Sequence, residues 1–115
     1  MVVVKSNQPV YVDVDETLVI HNKERRKHKD NIKIGDCLYI PHKPHIEQIK
    51  AHSSRKHTVI VWSKGGCEWA ELIVKKLKLE KYVDAVLEKP MWAIDDQVPS
   101  NYIDTYYINY DPFKK

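Results

Sequence analysis

Between Val10 and Thr17 an apolar run, Val10-Tyr11-Val12, gives way to two carboxylates spaced i, i+2, Asp13 and Asp15, followed by Glu16 and Thr17. The run reads as a buried strand over Val10–Val14, preceded by Pro9, with the acids at its carboxyl end. On an extended backbone residues i and i+2 point to the same side, roughly 6.5 Å apart at about 3.3 Å rise per residue, so both acids face one spot. Two anions about 4 Å apart repel by roughly 4 kcal/mol at an effective dielectric near 20. A cation or a shared proton must offset that repulsion. Mg²⁺, which takes a few carboxylate oxygens, waters and substrate phosphate, suits the pair. An acidic strand end in a turn would look the same over these residues alone, so the remaining chain has to decide.

Beyond this run the pattern alternates. Val2–Val4 reads as a short edge strand, and Leu18–Ile20 and Ile32–Ile40 as two extended pieces joined by a basic stretch, a hairpin with its charge at the tip and Gly35-Asp36 bulging its second arm. Pro44 to about Ser53 suits a helix, with Ile46 and Ile49 on one face. Thr58–Trp62 is a second buried strand. After Ser63-Lys64-Gly65-Gly66, the residues Trp69, Leu72, Ile73 and Leu77 mark one face of a helix that ends in Lys75, Lys76 and Lys78, cations that complement the negative end of the helix dipole. Val83–Leu87, Met91–Ile94 and Tyr106–Ile108 read as further strands. Strands alternating with helices in crossover order predict a three-layer α/β sheet, mostly parallel.

Length and charge narrow the function. A chain of 115 residues makes one domain, 1–115, with a core but without room for a second lobe, so no cap domain is expected. No apolar run approaches the roughly 20 residues that cross a bilayer, and the charged N-terminal third is unlike a signal peptide, so a cytoplasmic protein with no membrane partner is expected. Cys37 and Cys67 form no disulfide framework and are expected as reduced, buried thiols without a catalytic role. With His42 and His45 they do not match a compact zinc knuckle, so these histidines are expected to be solvated or capping. The net charge is only +3, yet five of the seven residues from Lys23 to Lys29 are basic: Lys23, Arg25, Arg26, Lys27 and Lys29. Such a run is a solvated tip or, beside a phosphate site, a set of polyanion contacts; its location decides.

In an open parallel sheet a site forms at the carboxyl ends of the strands. Asp13 and Asp15, Ser63, Lys89, and Asp95 with Asp96 after Met91–Ile94 all fall at such ends. Each suits phosphoryl transfer, which demands positioning and neutralisation of spread negative charge. Asp13 would attack phosphorus, splitting a slow hydrolysis into two steps through an aspartyl-phosphate. Asp15 would protonate the leaving oxygen and then deprotonate water. Thr17, Ser63 and Lys64, with backbone N–H groups near Gly65 and Gly66, would hold phosphate oxygens. Lys89 would balance charge on Asp13 and the phosphoryl group. Asp13, Asp15, Asp95 and Asp96 would bind Mg²⁺, the expected cofactor, directly or through water.

With these residues in view, the sequence resembles the haloacid dehalogenase superfamily of phosphatases. DVDET matches the DxDx(T/V) signature, and WSKGG with Ser63, then Lys89, then IDD with Asp95 and Asp96 follow in the family's order, covering Val10 to Asp96. The resemblance implies a Rossmann-like, capless core, a β-hairpin flap beside the site, and Mg²⁺-dependent phosphotransfer with the roles just given. DVDETLVIH is similar to the DLDETLVH stretch of phosphatases that act on the C-terminal domain of RNA polymerase II, although those usually carry threonine where this chain has Ser63. The KP…IDD segment is similar to small bacterial and phage phosphatases. An open site favours a bulky phosphorylated partner and a basic flap an anionic one: a nucleic-acid end, a nucleotide or a phosphoprotein.

Rival classes fit less well. A response-regulator receiver separates its phosphoacceptor from its acidic pair, whereas here the pair sits on one strand. A nucleotide-sugar transferase needs a larger fold. A non-catalytic module that binds phosphate or nucleic acid on the same core is the remaining alternative. Trp62, Trp69 and Trp92 are expected in the core, Tyr39, Tyr102, Tyr106 and Tyr107 at a groove or an edge, and the tail Asp111–Lys115 is expected to fray. Oligomeric state leaves no signature.

Overall fold

A computed structural model of the chain describes residues 8–114. Its elements in chain order are β1 (Val10–Val12), β2 (Val19–His21), β3 (Ile32–Ile34), β4 (Cys37–Pro41), α1 (Lys43–Ser54), β5 (Val59–Ser63), α2 (Cys67–Lys76) and β6 (Ala85–Glu88), with a 3₁₀ turn at Pro99–Asn101. β5 lies between β1 and β6 and runs parallel to both, Val10 opposite Val59 and Ser63 opposite Glu88. Val59, Ile60 and Val61 are buried in succession, because a central parallel strand is covered on both faces. α2 packs on β5 and β6, and α1 packs on β5. Val14, Leu18, Ile49, Val59, Val61, Ala70, Ile73 and Leu79 close the core. The expected α/β architecture with a parallel central sheet is therefore present, and the two acids, Ser63 and Lys89 follow three adjacent parallel strands.

The second sheet is antiparallel, in the order β2-β4-β3. It supplies the flap, but its turn differs from expectation. Ile34 pairs with Cys37, so Gly35-Asp36 is a two-residue turn rather than a bulge, with Gly35 at φ 60°. A positive φ at the first turn position is one that glycine adopts without steric cost. The basic stretch consequently does not sit at a hairpin tip. It links β2 to β3, the two outer strands of the sheet.

Five further expectations fail. Met91–Ile94 is not a strand: Trp92 is 89% exposed and Ile94 107%. A four-residue apolar run becomes a strand only where a neighbour accepts its backbone bonds, and Pro90 removes one donor at its start. Trp92 therefore is not a core residue. Nor is Tyr106–Ile108 a strand, since the N–H and C=O of Ile108 bond to His45 and His42 side chains instead of a ladder. The tail does not fray through its described part: His28 Nε2 lies 2.9 Å from the Pro112 carbonyl, and the Arg26 guanidinium sits 3.8 Å from the Phe113 ring centroid. Cys37 and Cys67 are free thiols, half-buried and exposed, so burial was the wrong expectation for both. The strand read at Val2–Val4 lies outside the described residues. Among those described, no helix is long and apolar enough to cross a membrane.

Candidate active site

The acids owe their placement to a tight turn. After Asp13 the chain buries Val14 and Leu18 completely, and the Val14 carbonyl accepts from the N–H groups of Thr17, Leu18 and Val19 at 3.1, 2.8 and 3.3 Å. Two buried side chains four residues apart force the chain to fold back between them, with Glu16 at φ 59° and its N–H on the Val19 carbonyl. Asp13 is left half-exposed and Asp15 exposed at the carboxyl end of β1.

Lys89 follows β6 directly. Its N–H donates to the Ser63 carbonyl at 2.9 Å, extending the β5–β6 pairing by one bond, and its Nζ lies 3.8 Å from Asp13 Oδ1. The Lys89 and Asp13 side chains are 31% and 35% exposed, so the contact is partly screened and acts by setting local charge more than by adding stability. Trp69, one turn into α2, donates from Nε1 to Asp15 Oδ1 at 3.2 Å. Trp69 also packs 5.6 Å from the Tyr39 ring, which stacks at 5.1 Å on His21 of β2. An aromatic ladder thus ties α2, Asp15 and the flap sheet together. Burial, aided by the thiol of Cys37, pushes the Tyr39 hydroxyl up, keeping it protonated.

Ser63 is completely buried, and its Oγ accepts from the Gly65 N–H at 3.0 Å. The hydroxyl closes the turn into α2 and has only its own proton left to donate. A Cβ at Gly65 would meet Trp69 Cδ1 at 3.1 Å and Ser63 Oγ at 3.3 Å, so glycine there lets the Trp69 ring lie close to the loop. Lys64 is exposed on that loop, and Thr17 is half-buried in the turn after Asp15.

Asp95 and Asp96 are not brought to this cluster. They lie in the exposed stretch after Pro90, where Asp95 Oδ1 accepts from the Gln97 N–H at 3.0 Å; that bond, with help from Asp96, holds the Asp95 carboxyl below its usual range. Among the described residues no group of three or more His, Cys, Asp or Glu side chains could together hold a metal ion. The expected four-carboxylate arrangement is therefore not assembled: the run that should have delivered Asp95 and Asp96 to the strand ends forms no strand.

A stacked histidine pair escaped the sequence reading. His42 and His45 lie with ring centroids 3.8 Å apart and nearly parallel, one fully buried and the other 6% exposed, so they are not solvated. His42 is, as expected, a cap: its Nδ1 accepts from the His45 N–H at 3.3 Å at the start of α1. That leaves the proton on Nε2, which donates to the Ile108 carbonyl at 3.0 Å. His45 has the opposite tautomer. Its Nε2 accepts from the Ile108 N–H at 2.9 Å, and its Nδ1 donates to the Thr17 carbonyl at 2.7 Å. Both rings must be neutral to make these bonds, and burial, then the neighbouring His45, depresses the affinity of His42 for a second proton. The Tyr107 hydroxyl adds a bond to the Glu16 carbonyl at 2.7 Å. The turn that carries Asp15 is thus pinned from outside by His45 and Tyr107. Helical spacing of the two histidines was the only signal in the sequence, and their partners lie more than twenty residues away, or more than sixty.

Parallel strands ending in an Asp-x-Asp turn, a lysine beside the first acid and an antiparallel flap define the class: a small α/β protein of the haloacid dehalogenase type. Within it, the family model for NLI interacting factor-like phosphatases matches residues 10–103, and the chain belongs to that family. Of the two subgroup likenesses in the sequence, this agrees with the one to C-terminal-domain phosphatases. No curated protein sequence and no solved structure gives a match.

Proposed function

We propose that the chain hydrolyses phosphomonoesters through an aspartyl-phosphate on Asp13. The observation that carries this reading is the Lys89 ammonium 3.8 Å from Asp13 Oδ1, at the ends of strands that flank β5. An Asp13 oxygen would attack phosphorus as the phosphorus–oxygen bond to the leaving group breaks, and Asp15 would supply the proton to that oxygen. In the second step Asp15 would take a proton from water as its oxygen attacks phosphorus, releasing inorganic phosphate and restoring the Asp13 carboxylate. Trp69 supports Asp15 in this role by holding one carboxylate oxygen at 3.2 Å. Lys89 would neutralise phosphoryl charge, with Lys64 and Thr17 at the rim and the Ser63 hydroxyl proton as an inner donor.

Two carboxylates suit Mg²⁺, and Asp13 would hold it directly and Asp15 through a water that leaves its second oxygen free for proton transfer, with the remaining positions left to water and substrate phosphate. When bound, the ion would draw charge from the phosphoryl oxygens. Asp95 and Asp96 are not part of that donor set as the chain is folded here.

The site is open to bulky or polyanionic phosphorylated substrates, of which nucleic-acid ends, nucleotides and phosphoproteins are the classes to compare. A panel of phosphomonoesters assayed with Mg²⁺ and again after EDTA tests the reading. Mg²⁺-dependent release of phosphate, abolished by EDTA and by Asp13→Asn, supports it. The buried Ser63 hydroxyl and the missing third carboxylate favour the second reading, a module that binds phosphate without turnover. Phosphate-competed binding with no release across the panel would select that reading.

A further inference from the structure

The basic stretch that links β2 and β3 is braced by side-chain hydrogen bonds. Asn22, 5% exposed, donates from Nδ2 to the Arg26 carbonyl at 2.8 Å and to Asn31 Oδ1 at 2.9 Å, and its Oδ1 accepts from the Arg26 N–H at 3.1 Å. Asn31 Nδ2 donates to the same Arg26 carbonyl at 3.0 Å. Two amide side chains, nine residues apart in the chain, thus hold the loop from both ends. The tail closes it from the other side through the His28–Pro112 contact at 2.9 Å and the stacking of Arg26 on Phe113 at 3.8 Å.

Between loop and tail lies a cleft of about 570 Å³ lined by Arg26, Lys27, His28, Lys29, Pro112, Phe113 and Lys114. Four of these residues are cations and none is a carboxylate. Two acids border it: Asp30 pairs with Lys43 at 3.0 Å and lies 3.9 Å from His28 Nδ1, and Asp111 Oδ1 accepts from the Phe113 N–H at 3.0 Å, so the four cations still outnumber the bordering carboxylates. Holding like charges together in a fixed loop costs repulsion that an anionic ligand would relieve. A stacked guanidinium keeps its edge free for an anion, and phosphate matches that fork.

The tail runs from the cleft to the turn that carries Asp15. Tyr107 bonds the Glu16 carbonyl, Ile108 bonds the two stacked histidines, and Phe113 reaches the cleft. Six residues of extended chain span at most about 20 Å. A flexible strand with one charge per unit can cover that distance with several charges, whereas a single small anion cannot.

We propose that this cleft binds the phosphodiester backbone of a single-stranded nucleic acid, a surface that presents a polynucleotide end to Asp13. The last clause rests on the phosphatase reading above; the binding does not. Phosphodiesters are favoured over an acidic peptide because the cations flank the stacked Arg26–Phe113 pair, and a base can stack on a guanidinium or aromatic plane while its phosphates meet the lysines.

The test is fluorescence anisotropy of a short labelled single-stranded oligonucleotide without a terminal phosphate, titrated with the whole chain from about 50 to 200 mM KCl. Each phosphate contact contributes about 0.7 to the log–log salt slope for single strands, so Lys27→Gln/Lys29→Gln/Lys114→Gln should flatten the slope by about 2 and weaken binding at low salt at least about tenfold. Arg26 is left in place because it stacks on Phe113, and an unchanged melting temperature checks the fold. An unchanged slope in the triple variant overturns the proposal, and so does equal competition by a polyglutamate peptide of matched charge. Because the probe carries no phosphomonoester, loss of binding in the variant supports the cleft even if no phosphomonoester is hydrolysed. A binding-competent chain without turnover would sink the phosphatase reading alone.

Discussion

Asp13 and Asp95 both follow short apolar runs, yet one is placed by the fold and the other is not. β1 leads into Val14 and Leu18, both fully buried, and the turn between them has nowhere else to go. The run before Asp95 carries Met91, Trp92 and Ile94, each more than four-fifths exposed. Apolar composition is the same kind of signal in both places. What differs is whether a neighbouring strand and a helix cover the run, and that burial, worth about 25 cal/mol per Å² of apolar surface, holds the attached carboxylate in position.

Four experiments probe this contrast. The largest effect is expected at Asp13: Asp13→Asn should lower kcat by at least about 10³-fold without a measurable change in melting temperature, because it would remove the proposed nucleophile and keep the shape. A steady-state assay beside a thermal melt checks it.

Next come two isoleucines. Ile73→Ala should cost about 2–5 kcal/mol in chemical denaturation, since Ile73 is fully buried in α2, while Ile94→Ala should stay within about 0.5 kcal/mol. Equal losses would mean that the 90–104 stretch is covered in solution.

The third experiment asks whether Asp95 joins the site during turnover. With Asp95 apart from Asp13, Asp95→Asn should change kcat by less than about tenfold, or about 1.4 kcal/mol in the barrier. A loss as large as that of Asp13→Asn would show the segment closing onto the strand ends and would erase the contrast between the two regions.

The smallest effect is a pH dependence. His42 is depressed by burial and by His45, and His52 by burial and by His57, whose Nδ1 lies 2.9 Å from that of His52. A base whose folded pKa lies below its unfolded value near 6.5 binds fewer protons folded than unfolded, so stability rises with pH across that window. The contribution is complete above about 6.5 and is lost as pH falls toward the folded values. Melting temperature measured against pH should decline below 6.5, and His52→Gln should make the decline shallower.

Much of the fold was legible because short-range rules suffice for it. Thr58–Trp62 reads as a covered strand and is present as β5, and the helix read from Trp69 to Leu77 is present as α2, although its buried face is Ala70, Ile73 and Val74 and Leu72 is exposed. The same rules misread Ile32–Ile40 as one arm, since a Gly-Asp turn and a bulge share the same residues. They also misread Trp92 as core, because an apolar residue shows a tendency to be buried and never what will cover it.

The chemical groups and the strand ends at which they arrive are written in the chain order: Asp13 and Asp15 after one buried run, Ser63 after the next, Lys89 before Pro90. Strand ends in a parallel sheet share an edge, so order along the chain translates directly into proximity. Which of these groups meet depends on the folded chain. It set Lys89 beside Asp13 and Trp69 on Asp15, pinned the Thr17 turn with His45, and left Asp95 outside, because each of those outcomes depends on long-range packing and on hydrogen bonds between residues far apart in the chain.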